Sequence, residues 1–251
     1  MNPPLIAAIA FASIFLCSLI GMLLSKVIPD QHLTAGSKES VQLGMGLVAT
    51  MTALLLGLLI ASAKGTYDEQ RSEVIKIAAQ VAFLDRALAT YGSETMNSRT
   101  ILKHALEKTI QRMWPNKGAT DTEVTTSLTE ARALYDSLQQ LSPRDDLQRS
   151  LKAEALKDSV ELSKTLWLLS AQRHASIVKP LVVMVIVWLA IIFLSVGLFA
   201  PINKTVITAL LVVSLSVSSA IFLILELDLP FQGMIQVSSE PLRNVLDELG
   251  H

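Results

Sequence analysis

Residues 41–91 read VQLGMGLVATMTALLLGLLIASAKGTYDEQRSEVIKIAAQVAFLDRALATY. Val41 to Ala63 carries no charge over 23 residues, enough to cross a hydrocarbon core that takes roughly 20 helical residues. Lys64, Asp68, Glu69 and Arg71 mark the exit into water, and no proline stops the helix there. Beyond them Val74, Ile77, Val81, Leu84, Leu88 and Tyr91 step by 3, 4, 3, 4, 3, the spacing of a heptad seam. The stretch predicts a membrane span that runs on as a soluble amphipathic helix, with Gly65 as its expected hinge.

Stepped backwards at the same spacing, the seam passes through Arg71, Tyr67, Lys64, Ile60, Gly57, Ala53, Thr50 and Gly46. That face is small and weakly polar in the membrane half. Two readings stay open. Small residues four apart let transmembrane helices pack closely; the same residues arranged around an axis in an oligomer form a pore wall.

Working outward, the totals describe a membrane protein. Hydrophobic residues make up 51% of 251 and the mean hydropathy is +0.48. The apolar residues come in blocks: 1–25, 41–63, 180–203 and 205–225 hold no Asp, Glu, Lys or Arg. Segment 64–176 holds 16 of the 21 basic and 15 of the 22 acidic residues, so the net charge of −1 averages a neutral part and a charge-mixed part. No large basic field points to nucleic acid. Cys17, the lone cysteine, lies in the first block. It makes neither an intrachain disulfide nor a thiolate metal site, and reads as a small buried hydrophobe.

In chain order, a first span is expected from about Leu5 to Val27, retained because it lacks the charged start and cleavage site of a signal peptide. Pro29 to Ser40 reads as a polar loop. After residue 91, Gly92 is a helix stop and Ser93 to Ser98 offers caps. A helix with Leu102, Leu106, Ile110 and Met113 on one face ends at Trp114-Pro115, and Asn116 to Thr122 follows as a loop. A third soluble helix shows Val124, Leu128, Ala131, Tyr135 and Leu138. Ser142-Pro143 breaks it, and Asp145 with Asp146 suits the start of a fourth, which shows Leu151, Ala155, Leu162, Leu166 and Leu169. The third span (about Leu181 to Phe199) and the serine-rich fourth (about Thr205 to Leu225) flank a hairpin at 200–204.

The expectation is an all-α membrane protein: four transmembrane helices, with a cytosolic helical bundle inserted between spans 2 and 3. The domains are 1–63 (spans 1 and 2), 64–176 (cytosolic helices), 177–227 (spans 3 and 4) and 228–251 (cytosolic tail). Four spans put both termini and 64–176 on one side. Lys64, Arg71, Arg173, Lys179 and Arg243 lie near the span ends on that side, against Lys26, Lys38 and Lys204 on the other. The positive-inside bias then makes the bundle and termini cytoplasmic.

GTYDEQRSEVIKIAAQVAFLDRALATYG with the Trp114-Pro115 stop, the hairpin GLFAPINKT and the tail LELDLPFQGMIQVSSEPLRNVL resemble the bestrophin-like family of mostly bacterial membrane proteins. The resemblance implies remote kinship with bestrophins, oligomeric anion channels with four membrane helices and a helical cytosolic part. It implies a bacterial inner-membrane location, membrane lipid and further copies of the chain as partners, and inorganic anions as permeants. In bestrophins the second span lines the pore, which maps onto Gly46, Thr50, Ala53, Gly57 and Ile60, with Lys64 at the exit. Bestrophins also carry a Pro-Phe-Gly element beside an acidic calcium cluster. Glu226, Asp228, Pro230 and Phe231 resemble that motif, with Gly233 one place late. The acids that should follow are Met234, Ile235 and Gln236 here, which weighs against calcium because it takes six to eight oxygen ligands.

No cofactor, metal site or enzyme is expected. His32, His104, His174 and His251 are scattered; there is no phosphate loop after a strand and no Gly-x-Ser-x-Gly elbow. Glu226 and Asp228 read as ordinary charge at a span end, with a bound cation or a pair to Arg243 as the other options. The leading function is an anion channel lined by the second span. The second is a non-conducting scaffold or sensor whose cytosolic bundle binds a partner.

Overall fold

The computed structural model of the chain describes residues 2–28, 35–114, 124–172 and 179–249. Among them there are α-helices and no strand. The helices are α1 (Pro3–Leu24), α2 (Ala35–Tyr91), α3 (Met96–Met113), α4 (Val124–Gln139), α5 (Asp146–Gln172), α6 (Lys179–Phe199), α7 (Lys204–Leu227) and α8 (Glu240–Glu248). The expected loops at 29–34 and Asn116–Thr122, and His32, Arg173, His174 and His251, lie outside the described residues. The chain divides into two compact units, Met1–Thr66 with Ser176–Leu229 and Tyr67–Ala175 with Pro230–His251.

Helix α2 is one helix of 57 residues. One expectation is corrected. The polar loop does not reach Ser40, because no proline breaks 35–40 and Ser40 Oγ bonds back to Gly36 O at 3.0 Å. Helical backbone runs through Gly65.

In the first unit, α1, α2, α6 and α7 are each long and apolar enough to cross a membrane. Helix α1 packs along both α6 and α7. Its crossing with α6 is backbone on backbone. A Cβ on Gly21 would sit 2.1 Å from Leu194 O, and one on Gly197 would sit 2.0 Å from Ser18 O. Around that contact Ala10, Ile14, Met22, Val185, Phe193, Ile221 and Ile224 form a buried cluster. The serines of α7 divide by face: Ser214 and Ser218 are buried, while Ser216 and Ser219 are exposed and bond back to Val212 O and Leu215 O at 2.9 and 2.8 Å. Such back-bonding satisfies a hydroxyl without a neighbour. Between α6 and α7, Asn203 caps the hairpin, its Oδ1 accepting from Val206 N at 2.8 Å.

In the second unit the heptad seam is the core. Val74, Ile77, Val81, Leu84, Leu88 and Tyr91 are all buried, against Leu102, Leu106, Ile110 and Met113 of α3 and Ala155, Leu162 and Leu169 of α5. Gly92 ends α2 at φ 133°, where an L side chain is strained. Thr95 does not cap the next helix; its hydroxyl reaches back to Leu88 O at 2.6 Å and Gly92 O at 2.7 Å, satisfying carbonyls at the end of α2. On α4 the buried residues are Leu134 and Leu138, with Ala131 and Tyr135 half-buried at the edge. The expected stripe holds at Leu138, while Leu134 takes the inward place expected of Tyr135. Asp145 caps α5 through Gln148 N at 2.7 Å.

Charged groups tie these helices together. Arg99 grips Asp85 with two bonds of 2.7 and 2.8 Å between α3 and α2, and that grip raises the guanidinium pKa despite its burial. Glu130 of α4 takes Lys108 at 3.0 Å and Arg112 at 2.9 Å from α3. Tyr91, buried beside Glu94, has its phenol pKa pushed up first by burial.

Candidate functional site

Two places carry the residues singled out from the sequence, one in each unit. The first is the membrane half of α2. Gly46, Thr50, Ala53, Gly57 and Lys64 are exposed within the single chain, and Ile60 is half-buried. A Cβ built on Gly44, Gly46 or Gly57 meets nothing within 4 Å. Thr50 has its hydroxyl bonded back to Gly46 O at 2.9 Å. The buried side of this half is Thr52, Leu59 and Ala63, and Ile60 rests at its edge against the same cluster.

These positions differ from the backward projection in one physical respect. Buried residues step from Val74 to Gln70, then to Ala63, Leu59 and Thr52. The inward stripe thus steps back by four at Gln70, not by three at Arg71, and the expected face lies about 100° round the helix from it. Gln70 and Thr52 are polar, which hid the stripe from a reading that followed apolar residues. Thr52 is accommodated by its own bond to Val48 O at 2.7 Å.

The second place is the turn after α7. Pro230, Phe231 and Val237 are buried, and Val237 N closes the turn on Pro230 O at 2.7 Å. Gly233 turns the chain at φ 101°. Trp114, which the sequence marks as a helix stop, also holds this turn: its Nε1 donates to Val237 O at 2.8 Å. Its ring meets Phe231 edge-on with centroids 5.3 Å apart. Tyr67 Oη donates to Gln236 O at 3.3 Å and Gln236 Nε2 to Gly233 O at 2.9 Å. Farther on, Lys103 Nζ bonds Leu249 O at 2.9 Å beyond α8. The roles of Trp114, Tyr67 and Lys103 were not legible in the sequence, since each acts across more than 120 residues.

A calcium ion does not fit this turn. The carbonyls of Pro230, Gly233, Gln236 and Val237 are already engaged by protein donors, and 232–239 contains no acid. Among the described residues no group of three His, Cys, Asp or Glu could hold a metal. Glu226 is buried at the end of α7 and Asp228 follows as its C-cap. Arg243 donates from Nε to Ser239 Oγ at 3.0 Å.

The family model of the Bestrophin-like domain matches residues 11–242 of this chain. Among solved structures, the chain is similar to a W-to-A variant of a bacterial bestrophin homologue from Klebsiella pneumoniae, with a TM-score of 0.70 and 15% identity. That match covers 100% of this chain and 99% of the other. A second structure of a bacterial bestrophin homologue from Klebsiella pneumoniae gives a TM-score of 0.65 at 15% identity, covering 94% of this chain and 98% of that one. Another, described as a membrane protein, gives 0.69 at 12% identity over 98% and 99%. No curated protein matches in sequence.

Proposed function

This chain belongs to the bestrophin-like family, and we propose that it is an oligomeric membrane channel that conducts anions and has no enzymatic role. In this reading copies surround an axis lined by Gly46, Thr50, Ala53, Gly57 and Ile60, with Lys64 at the exit. The segment 64–176 and both termini are cytoplasmic, and the spans cross a bacterial inner membrane in contact with lipid. The observation that carries the proposal is the open face of α2. A Cβ added at Gly46 or Gly57 would meet no other part of the chain within 4 Å, while Gly21 and Gly197 are used for packing within it. A small-residue face left open by the chain is available to an axis.

Ile60 is the largest residue of that face, one turn before Lys64, and hydrophobic rings close pores by excluding water. Ile60→Ala should raise conductance in reconstituted bilayers, and Lys64→Glu should shift selectivity toward cations. Silent bilayers for parent and both variants, with oligomers shown intact, would reject the channel. They would favour the scaffold, whose supporting observation is the exposed apolar surface of the second unit, including Phe83 and Leu147.

A further inference from the structure

Inside the second unit, α2, α3, α4 and α5 do not close completely on one another. They leave a cavity of about 40 Å³ walled by Ile77 of α2, Leu102 and Leu106 of α3, Leu134 of α4, and Leu162 and Leu166 of α5. It opens past half-buried lining residues, Ala105, Thr109, Glu130 and Ala131 among them. The two hydroxyls in its wall are spent on their own helices: Thr109 Oγ1 donates to Ala105 O and Ser163 Oγ to Ser159 O, each at 2.7 Å. Neither proton is left for a water, which needs several polar partners to be held. The mouth is ionic. Glu130 lines it, and its Oε1 takes Lys108 Nζ at 3.0 Å and Arg112 Nη2 at 2.9 Å. Two cations thus stand against one carboxylate. The other acids of α3 and α4 are turned elsewhere, Glu107 to His104 at 3.7 Å and Asp136 to Arg132 at 4.0 Å. Neither α2 nor α5 adds an acid to the lining.

We propose that this cavity is a binding site for a small aliphatic carboxylate, with its chain between the four helices and its head at Lys108 and Arg112. The channel reading makes no use of this place, and the site stands whether or not the chain conducts. Size sets the chain. A water-sized atom takes about 10–15 Å³ of such a volume, so the cavity seats roughly three carbons. Each methylene buried there gains about fourfold in affinity, and no hydrogen bond inside is lost to it. Charge sets the head. An ammonium and a guanidinium each have several N–H donors, so their bonds to Glu130 leave others for a second carboxylate, and charge assistance strengthens those bonds. A cationic head would meet two like charges at the same mouth.

The test uses the full chain purified in detergent and sodium butyrate as the probe, since so short a carboxylate stays out of the micelles. Titration calorimetry should show saturable binding on the order of millimolar, with butyrate roughly tenfold tighter than acetate. Ala105→Leu fills the cavity and should abolish the butyrate signal; Ala131→Val takes its place where that variant fails to fold. Lys108→Gln and Arg112→Gln should each weaken butyrate severalfold, yet leave butyramide, its uncharged counterpart, bound as weakly as in the parent. Acetate equal to butyrate would mean an ion at the surface only and overturn the site. So would the absence of saturable binding, or butyrate binding undiminished in a folded variant with the cavity filled. Butyramide as tight as butyrate in the parent would overturn the carboxylate head at Lys108 and Arg112.

Discussion

Gly21 and Gly197 face each other so closely that neither has room for a methyl group. The missing Cβ of the first would lie 2.1 Å from the backbone of α6, and that of the second 2.0 Å from the backbone of α1. Between membrane helices there is little hydrophobic drive, so association depends on this kind of close van der Waals approach.

Gly21→Ala or Gly197→Ala should therefore push α1 off α6, since the obstructing atoms are backbone and cannot rotate away. The expected loss is about 1–3 kcal/mol of stability for each, the range of overpacking. Gly46→Ala and Gly57→Ala are the comparison, because their added methyls meet nothing within the chain. Thermal unfolding of monomer in detergent should separate the two pairs; equal melting temperatures across all four would show that the crossing is not close.

The turn after α7 is expected to depend on Trp114. Trp114→Phe keeps an aromatic against Phe231 and deletes the bond to Val237 O, while Trp114→Ala removes both. A neutral hydrogen bond contributes about 1 kcal/mol and an aromatic pair about as much again. Limited proteolysis should cut near residues 232–236 slowly in the parent, faster in the Phe variant and fastest in the Ala variant. Added calcium should change none of the three rates. Protection by calcium would reinstate a metal at this turn.

Asp158 makes stability depend on pH in a stated direction. Its folded pKa lies above the ordinary 3.8 because of burial and then Glu154 and Glu161. The folded chain then binds a proton more tightly than the unfolded one, so stability falls as pH rises through the raised value. It is regained on acidification toward the ordinary value. Asp158→Asn should melt higher than the parent at neutral pH and lose that part of the pH slope. Added salt should narrow the difference by screening the like charges. A variant that melts lower at neutral pH would mean that the carboxylate has a stabilising partner.

The helical plan was legible because its signals are local. Uncharged blocks of sufficient length mark the spans, and Val74 to Tyr91 alternate by three and four along one face of α2. What failed was phase. Gln70 and Thr52 occupy inward positions where apolar residues were sought, and Leu134 stands one place from the stripe read on α4. Thr52, whose hydroxyl bonds its own helix at Val48 O, costs little to bury, and nothing in its letter reveals that. The site was less legible still. Whether a glycine packs or stays open depends on which helix lies opposite: Gly21 and Gly197 look no different in sequence from Gly46 and Gly57. Trp114 carried a local meaning as a helix stop and a distant one as the donor to Val237 O.

The seating of α1 on α6 and α7 also sets an order of events during biosynthesis. The first span is made early, yet its partner backbone at Gly197 follows Gly21 by 176 positions. At about 5–20 residues per second, that is a wait on the order of ten to thirty-five seconds. During it the groove at Gly21 is lined by lipid. The short connection capped by Asn203 delivers α6 and α7 as a hairpin, so the last spans synthesised complete the packing of the first. Chains truncated before residue 197 lack the α6 glycine that meets Gly21, and they are the species a membrane quality-control protease would meet with that groove still open.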